Sequence, residues 1–350
     1  MDAVIRTYGN TNLPDGTAEL PLVTFAVFGY MQEHCIRDAL AAGLAQNYSP
    51  LEIIMSDDCS TDKTFQLMET IAKDYHGPHK ILIRRSEVNL GTALHVSAVA
   101  SIAKGALIVV AAGDDTSLPN RCEAIVERWT KAGQTAVLVH SDMEVMTSNG
   151  VERLTPPLAD HESGAIDLLL KGPNVAFFAP TCAYAIELFK DYDPLFGGSI
   201  IEDGVLSVRA ILSGSIEYIP IPLVRQGRYE SSSSNDLQVH TPARWNRLVR
   251  SRIVASCNSL HDLIRIDESA KNKKKLEKFL RRRIAVLGRF IIPEHRNMSN
   301  FECINFFINL VIFYPINASI LRRVKFSLIA CGFKSSRYYK FFLGAAKKWR

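Results

Sequence analysis

No two of the seven cysteines form a Cys-x-x-Cys pair; they stand far apart at Cys35, Cys59, Cys122, Cys182, Cys257, Cys303 and Cys331. That spread excludes the common zinc and disulfide frameworks and reads as reduced thiols used mostly for packing. The first twenty residues have neither a basic start nor an apolar block, so no secretion signal is read there and residence in the cytosol is expected. The apolar stretch 301–326 is interrupted by Asn305, Asn309, Pro315 and Asn317, which makes it a poor transmembrane helix. His34, His95 and His140 lack metal-ligand spacing and are expected to pack or to lie on the surface. No internal repeat stands out. A hydrophobic fraction of 47% against 22% charged residues excludes a disordered chain.

What the chain does have is an uneven charge distribution. Residues 271–350 carry 19 Lys and Arg against 3 Glu, a balance of +16, while the remainder carries −11, giving the net +5. An acidic body and a basic tail are expected to do different things. "KNKKKLEKFLRRR", "RRVK", "KSSRYYK" and "KKWR" surround apolar residues with positive charge, which suits helices lying in the interface of an anionic membrane. Docking on the body and a solvated face are the plainer readings. No nucleic-acid-binding module accompanies the tail, so no nucleic-acid partner is expected.

Between Leu22 and Gly133 short apolar runs alternate with helical periods. "LVTFAVF" (22–28), "LEIIMS" (51–56), "KILIRR" (80–85) and "ALIVVAA" (106–112) read as buried strands. The segments 33–46, 61–75, 93–105 and 117–133 read as the helices between them, the last with Pro119 in its first turn. Strands separated by ten-to-fifteen-residue helices predict βαβ units and a mostly parallel sheet with helices on both faces. After 135–146 the pattern is less regular. The run Ser231 to Ser234 reads as a solvated loop, and 237–290 is helical in tendency.

In a parallel sheet, ligands collect where the strands end, because the crossover loops open a crevice there. These strands end at Phe28-Gly29-Tyr30, Asp57-Asp58, Arg84-Arg85 and Asp114-Asp115. Aromatic, acidic and basic groups therefore converge on one edge, a set suited to a nucleotide diphosphate and a divalent cation.

The segments "FAVFGYMQE", "LEIIMSDDCSTDKT", "NLGTALH", "AAGDDTSLPNR" and "IEDGVLSVRA" together resemble the family 2 glycosyltransferases with the GT-A fold, over about residues 20–230. The resemblance implies a donor site made from Phe28, Gly29, Tyr30, Glu33, Asp58, Arg84, Arg85, Asn89, Gly91 and Asp114. In it Tyr30 would stack on the base and Asp58 would accept the base's ring N–H. Asp115 would bind a divalent metal, Mn2+ or Mg2+, and Asp203, with Glu202 beside it, would be the general base. The implied activity is inverting transfer from a nucleotide sugar, a UDP-sugar, to a saccharide or polyprenyl-diphosphate-linked acceptor. The expected setting is cell-surface polysaccharide or O-antigen assembly at the cytosolic face of the inner membrane.

Three positions depart from the family pattern. Met31 stands where the family usually has Asn after the tyrosine. "VRQGRYESSSS" lacks the histidine many relatives carry, leaving Arg225 or Arg228 for that work, and "TPARW" (241–245) replaces the Gln-x-x-Arg-Trp of processive synthases. Plainer roles remain for several residues. Asp57 and Asp62 suit a turn and a helix cap, Asp114, Asp115, Glu202 and Asp203 suit helix starts, Tyr30 suits a core, and Arg209 suits a structural ion pair. A non-catalytic nucleotide-binding or membrane-tethering GT-A protein is the rival reading. A nucleotidyltransferase would need a Gly-rich basic loop after the first strand, which "FGYMQEH" does not supply. The expected division is an extension (1–20), a catalytic domain (21–235, its halves meeting near 133–134) and a helical basic region (236–350).

Overall fold

The computed structural model describes residues 4–11, 20–147, 150–156, 177–197, 202–227, 242–265 and 273–288. Five segments make the first half of the sheet: β1 (Val4–Gly9), β2 (Val23–Gly29), β3 (Leu51–Asp57), β4 (Lys80–Arg85) and β5 (Leu107–Ala112). The second half adds β6 (Thr116–Ser117), β7 (Ala136–Thr147), β8 (Gly150–Leu154), β9 (Ala183–Ala185) and β10 (Ser215–Gln226). Their order is β1-β4-β3-β2-β5-β9-β7-β10-β6, with β8 hairpinned on β7.

The four strands expected from the sequence pair in parallel, β4-β3-β2-β5. Their apolar runs are continuous because both sheet faces are covered. Phe25, Val27, Ile53, Met55, Val109 and Ala111 face one core, with α1 (Ile36–Leu44), α2 (Thr64–Lys73) and α4 (Arg121–Lys131) over them. The alternate residues Ala26, Ile54, Ile108 and Val110 face the other core, under α3 (Thr92–Ala100) and, later in the chain, under Val205, Leu206 and Ala210. Each helix buries residues three and four apart, such as Ile36, Ala39, Leu40 and Gly43 in α1.

Residues 4–9, expected only as part of an extension, form a strand antiparallel to β4. Four of its six residues are exposed in an unbroken run, so "VIRTYG" carries no alternation from which a strand could be read. The short α5 (Glu187–Lys190) follows β9, and α6 (Glu202–Ser213) leads into β10. β10 shifts register at Pro220 and Pro222, where proline has no N–H for the ladder. The helical tendency after 237 is met by α7 (Pro242–Arg265) and α8 (Lys273–Gly288). The apolar side chains Val208, Leu263 and Leu280 join α6, α7 and α8.

Among the described residues no helix is long and apolar enough to cross a membrane. Arg228, the serine run 231–234, "TPARW" up to Thr241 and the tail from 289 lie outside the described residues.

Candidate active site

The first strand-end group is Phe28-Gly29-Tyr30. Phe28 turns its ring edge to His95, with centroids 5.1 Å apart. Tyr30 is 47% exposed, not core. Next to it, Met31 has φ 55, a left-handed backbone that Asn tolerates better than Met. The turn is held by Ser60, whose hydroxyl accepts the Met31 N–H at 2.9 Å. Glu33 is engaged structurally: its carboxylate accepts the Lys63 N–H at 2.9 Å, while Asp62 accepts the Glu33 N–H at 3.1 Å. Asp62 also caps the start of α2, taking the Thr64 N–H at 2.9 Å, as expected.

The two adjacent aspartates at the end of β3 have opposite environments. Asp57 is buried, bound by the Ser60 N–H at 3.0 Å and by Arg85 at 3.3 Å, and its Oδ1 has no partner. Asp58 accepts the Leu90 and Gly91 N–H groups at 3.0 and 2.9 Å, one on each oxygen. Gly91, at φ 74, precedes the first residue of α3, so the Asp58 carboxylate occupies the anion slot at that helix N-terminus. Exposed Asn89 shares the same N–H, accepting it at 2.9 Å. The Asp58 oxygens retain lone pairs for a further donor.

Arg84 and Arg85 point to opposite sheet faces. Arg84 is 5% exposed and donates to Ser56 and Ser86 at 3.2 and 3.0 Å. Burial lowers its pKa, against the opposing charge of Asp58. Ser56 also meets His95 Nε2 at 2.6 Å. Burial pushes His95 down to about 4, with Asp58 opposing and Arg84 adding to the shift, so the ring is neutral. Arg85 packs on Phe65, 5.2 Å from its centroid, and donates to the Ser60 carbonyl at 2.7 Å.

The β5 end is drawn against β2 by Gly113, whose N–H reaches the Phe28 carbonyl at 2.8 Å. Asp114 follows, half-buried, then Asp115, 5% exposed. Gly227, just past β10, donates its N–H to Asp115 Oδ1 at 3.0 Å. Burial first and Asp114 second push Asp115 up to about 7, against the Gly227 hydrogen bond and the Arg121 charge. Arg121 is fully buried and donates to Ser117, to the Val110 carbonyl and to the Cys182 carbonyl at 2.9, 2.9 and 3.3 Å.

The Cys182 side chain is fully buried just before β9. Its environment includes both Arg121 and Asp203. Tyr184, two residues on, feels Asp203 and Glu202. Asp203 lies at the start of α6, with the Gly204 N–H on its Oδ1 at 2.8 Å. Desolvation raises Glu202 to about 8, with Asp203 adding to the shift, and raises Asp203 to about 7. Two neighbouring acids of this kind titrate as a pair near neutrality. Arg121 thus lies within electrostatic range of Asp115, and Cys182 and Tyr184 within range of Asp203.

Among the described residues no three His, Cys, Asp or Glu side chains gather as a self-sufficient metal cluster. Asp114 and Asp115 suit a different arrangement. Carboxylate oxygens are hard donors, and an Mg2+- or Mn2+-type ion completes its shell with phosphates and water. A buried carboxylate raised by a neighbouring acid is short of positive charge, which is what such an ion supplies.

Sequence reasoning missed Ser56, Arg121, Cys182 and Gly227. Ser56 closes the predicted strand 51–56 but is itself uncharged beside Asp57, and Arg121, Cys182 and Gly227 stand away from the four predicted strand ends. Arg121 could have been suspected, since "DDTSLPNR" places a cation six residues after the second aspartate. Arg225, considered for phosphate contact, is held by Glu144 at 3.0 and 2.9 Å. Arg209 is structural, as expected, pairing with Asp262 at 2.8 Å.

The profile of Glycosyl transferase family 2 matches residues 25–192. Just under half of the chain is therefore similar to that family. The family match ends before Glu202, so the second acid pair lies outside it. An uncharacterized protein of Mycobacterium tuberculosis is 27% identical over 193 residues, 55% of this chain and 54% of that one. The chain thus spans about half the length of the curated mycobacterial relatives it matches. The succinoglycan biosynthesis protein ExoO of Rhizobium meliloti is 29% identical over 137 residues, 39% of this chain and 37% of ExoO.

Among solved structures, TarS of S. aureus in complex with UDP-GlcNAc superposes with a TM-score of 0.58 at 17% identity, over 86% of this chain and 81% of TarS. A Pyrobaculum calidifontis mannosyltransferase in complex with GDP-Man and Mn2+ gives 0.51 at 14% identity, over 89% of this chain and 86% of the other. At that identity the likeness shows a shared fold, the GT-A architecture of a mixed sheet covered by helices.

Proposed function

We propose that this chain is an inverting glycosyltransferase that moves a sugar from a nucleotide sugar, a UDP-sugar, to a saccharide or polyprenyl-diphosphate-linked acceptor. The observation that carries the reading is the pair of acids at the end of β5, Asp114-Asp115, with Asp115 buried and held by the Gly227 N–H at 3.0 Å, beside a second acid pair, Glu202-Asp203, in the first turn of α6. One pair suits a metal-bound diphosphate and the other a proton acceptor. Supporting it, TarS is complexed with UDP-GlcNAc and the Pyrobaculum enzyme with GDP-Man and Mn2+. ExoO, named for succinoglycan biosynthesis, supports a place in cell-surface polysaccharide assembly.

In this reading exposed Tyr30 stacks on the base, while Asp58, braced by Leu90 and Gly91, accepts a base N–H. Phe28, Gly29 and the Asn89–Gly91 turn shape the rim, and Arg84 and Arg85 hold the aspartates beside it. Asp114 and Asp115 would hold a divalent ion, Mn2+ or Mg2+, which when bound neutralises the charge on the leaving diphosphate. Asp203 takes the proton of the acceptor hydroxyl as its oxygen bonds to the anomeric carbon, and the bond from that carbon to the diphosphate breaks. A single displacement inverts the anomeric centre. Burial raises both Glu202 and Asp203, so near neutrality the pair holds a proton between them and can take up the one from the acceptor. The basic region from residue 271 holds the protein against an anionic membrane, at the cytosolic face where a lipid-linked acceptor lies.

The test is a panel of nucleotide sugars screened with manganese for release of the nucleotide diphosphate, first with the natural sequence and then with Asp203→Asn. One donor, a UDP-sugar, is expected to turn over. The substitution should cut turnover about 100-fold or more while UDP affinity stays within about twofold. Full turnover in Asp203→Asn removes it as the base. Sedimentation with phosphatidylglycerol vesicles, lost at high salt, checks the membrane arm.

A further inference from the structure

Asp203 lies in the first turn of α6, whose Val205, Leu206 and Ala210 pack on the sheet core, and the helix is also gripped from outside the family-matched span. Arg209, six residues on, is 1% exposed and grips Asp262 of α7 with both ends of its fork, Nε to Oδ2 at 2.8 Å and Nη2 to Oδ1 at 3.2 Å. Its remaining donors reach the Asp193 carbonyl at 2.8 Å and the Leu188 carbonyl at 3.3 Å, and its guanidinium lies 4.7 Å from the Tyr192 ring centroid. Asn258, one turn before Asp262, donates to the same carboxylate at 3.4 Å and accepts the Phe196 N–H at 2.8 Å. One arginine thus joins α5, the segment leading to α6, α6 itself and α7.

At about 100° and 1.5 Å per residue, Arg209 lies roughly 240° around α6 and about 9 Å along it from Asp203. The two side chains therefore leave the helix in different directions, that of Arg209 toward Asp262 of α7. The apolar contacts among α6, α7 and α8, through Val208, Leu263 and Leu280, resist separation but tolerate sliding, because hydrophobic contact has no direction. A bidentate pair does have direction.

We propose that Arg209 and Asp262 are a positioning pair that sets the rotation and axial register of α6, and hence of the Asp203 carboxylate. The helical unit from Pro242 is then part of the catalytic machinery, not an appendage. The inference rests on the reading of Asp203 as general base.

The experiment compares the full chain with Asp262→Asn and with the double variant Arg209→Met/Asp262→Leu, which replaces the pair by apolar side chains. The readouts are thermal unfolding, UDP affinity with manganese, hydrogen exchange of the 202–210 amides, and kcat with the donor that the natural sequence turns over fastest. Expected are a kcat at least 10-fold lower in both variants, UDP affinity within twofold, and faster exchange at 202–210. The double variant should retain these defects even where its melting temperature matches that of the natural sequence. A double variant with natural stability, exchange and kcat would show that the pair is a packing element only, and would overturn the proposal. If Asp262→Asn does not fold, the double variant decides alone. Full turnover in Asp203→Asn removes the base reading and this inference together, whereas an inactive Asp203→Asn beside fully active pair variants removes this inference alone.

Discussion

The Asp58 carboxylate accepts the backbone N–H of Gly91 at 2.9 Å, so a residue whose spacing suggests a ligand contact also holds the start of α3 in place. Leu90 donates to its other oxygen at 3.0 Å. Removing the side chain strands the Leu90 N–H and leaves the Gly91 N–H to Asn89 alone, at about 1–3 kcal/mol for an unsatisfied group. Asp58→Ala is therefore expected to lower the thermal midpoint without any nucleotide present, and to weaken UDP binding as well. Calorimetric unfolding of the free protein checks it. An unchanged midpoint would mean that Asp58 serves the ligand alone.

Gly113 carries a steric prediction. A Cβ there would lie 2.3 Å from Gln32 Oε1, 2.5 Å from Ile36 Cδ1 and 2.8 Å from the Phe28 carbonyl oxygen. The glutamine can swing away, but the backbone oxygen cannot, and its hydrogen bond from Gly113 ties β5 to β2. Gly113→Ala should cost about 1–3 kcal/mol, as overpacking does. Because Asp114 and Asp115 follow directly, manganese-dependent UDP binding should weaken with it. Denaturant unfolding and titration calorimetry read the two effects separately.

Asp115→Ala should abolish the metal dependence of nucleotide binding. The side chain is buried beside Asp114 and held at 3.0 Å by Gly227, so a nearby substitution does not readily replace it. The expected outcome is one UDP affinity, weak and equal with manganese or with chelator. A residual manganese enhancement of 10-fold or more would move the metal away from this acid.

These residues show what the sequence made legible. The four strands β2 to β5 were readable because both of their faces are buried, leaving continuous apolar runs, and the acids at their ends stood out against those runs. β1 was not, because an exposed edge strand needs no apolar alternation. Glu33 resembled a ligand-site residue in sequence but caps the turn before α2 through Lys63. Arg121 and Cys182 were missed because their roles come from long-range contacts, the arginine reaching a carbonyl 61 residues away. Spacing along the chain cannot display such a contact.

The Glu202-Asp203 pair gives the pH dependence. Desolvation lifts Asp203 to about 7 and, with help from Asp203, lifts Glu202 to about 8. In the unfolded chain both titrate near 4. Between about pH 4 and pH 8 the folded protein therefore holds more protons than the unfolded one, and stability falls as pH rises through that window. The free protein should melt at a higher temperature at pH 5 than at pH 8, and Glu202→Gln should reduce the difference. Turnover moves the opposite way, since a general base must have lost its proton. As pH falls below about 7, kcat should drop about tenfold per unit, in a limb that belongs to the pair. Thermal melts and a kcat profile from pH 5 to 9 test both limbs. A rate that stays flat down to pH 5 would mean that the proton acceptor is an ordinary solvated carboxylate or that chemistry does not limit turnover, and single-turnover measurements at pH 5 and 8 decide between these.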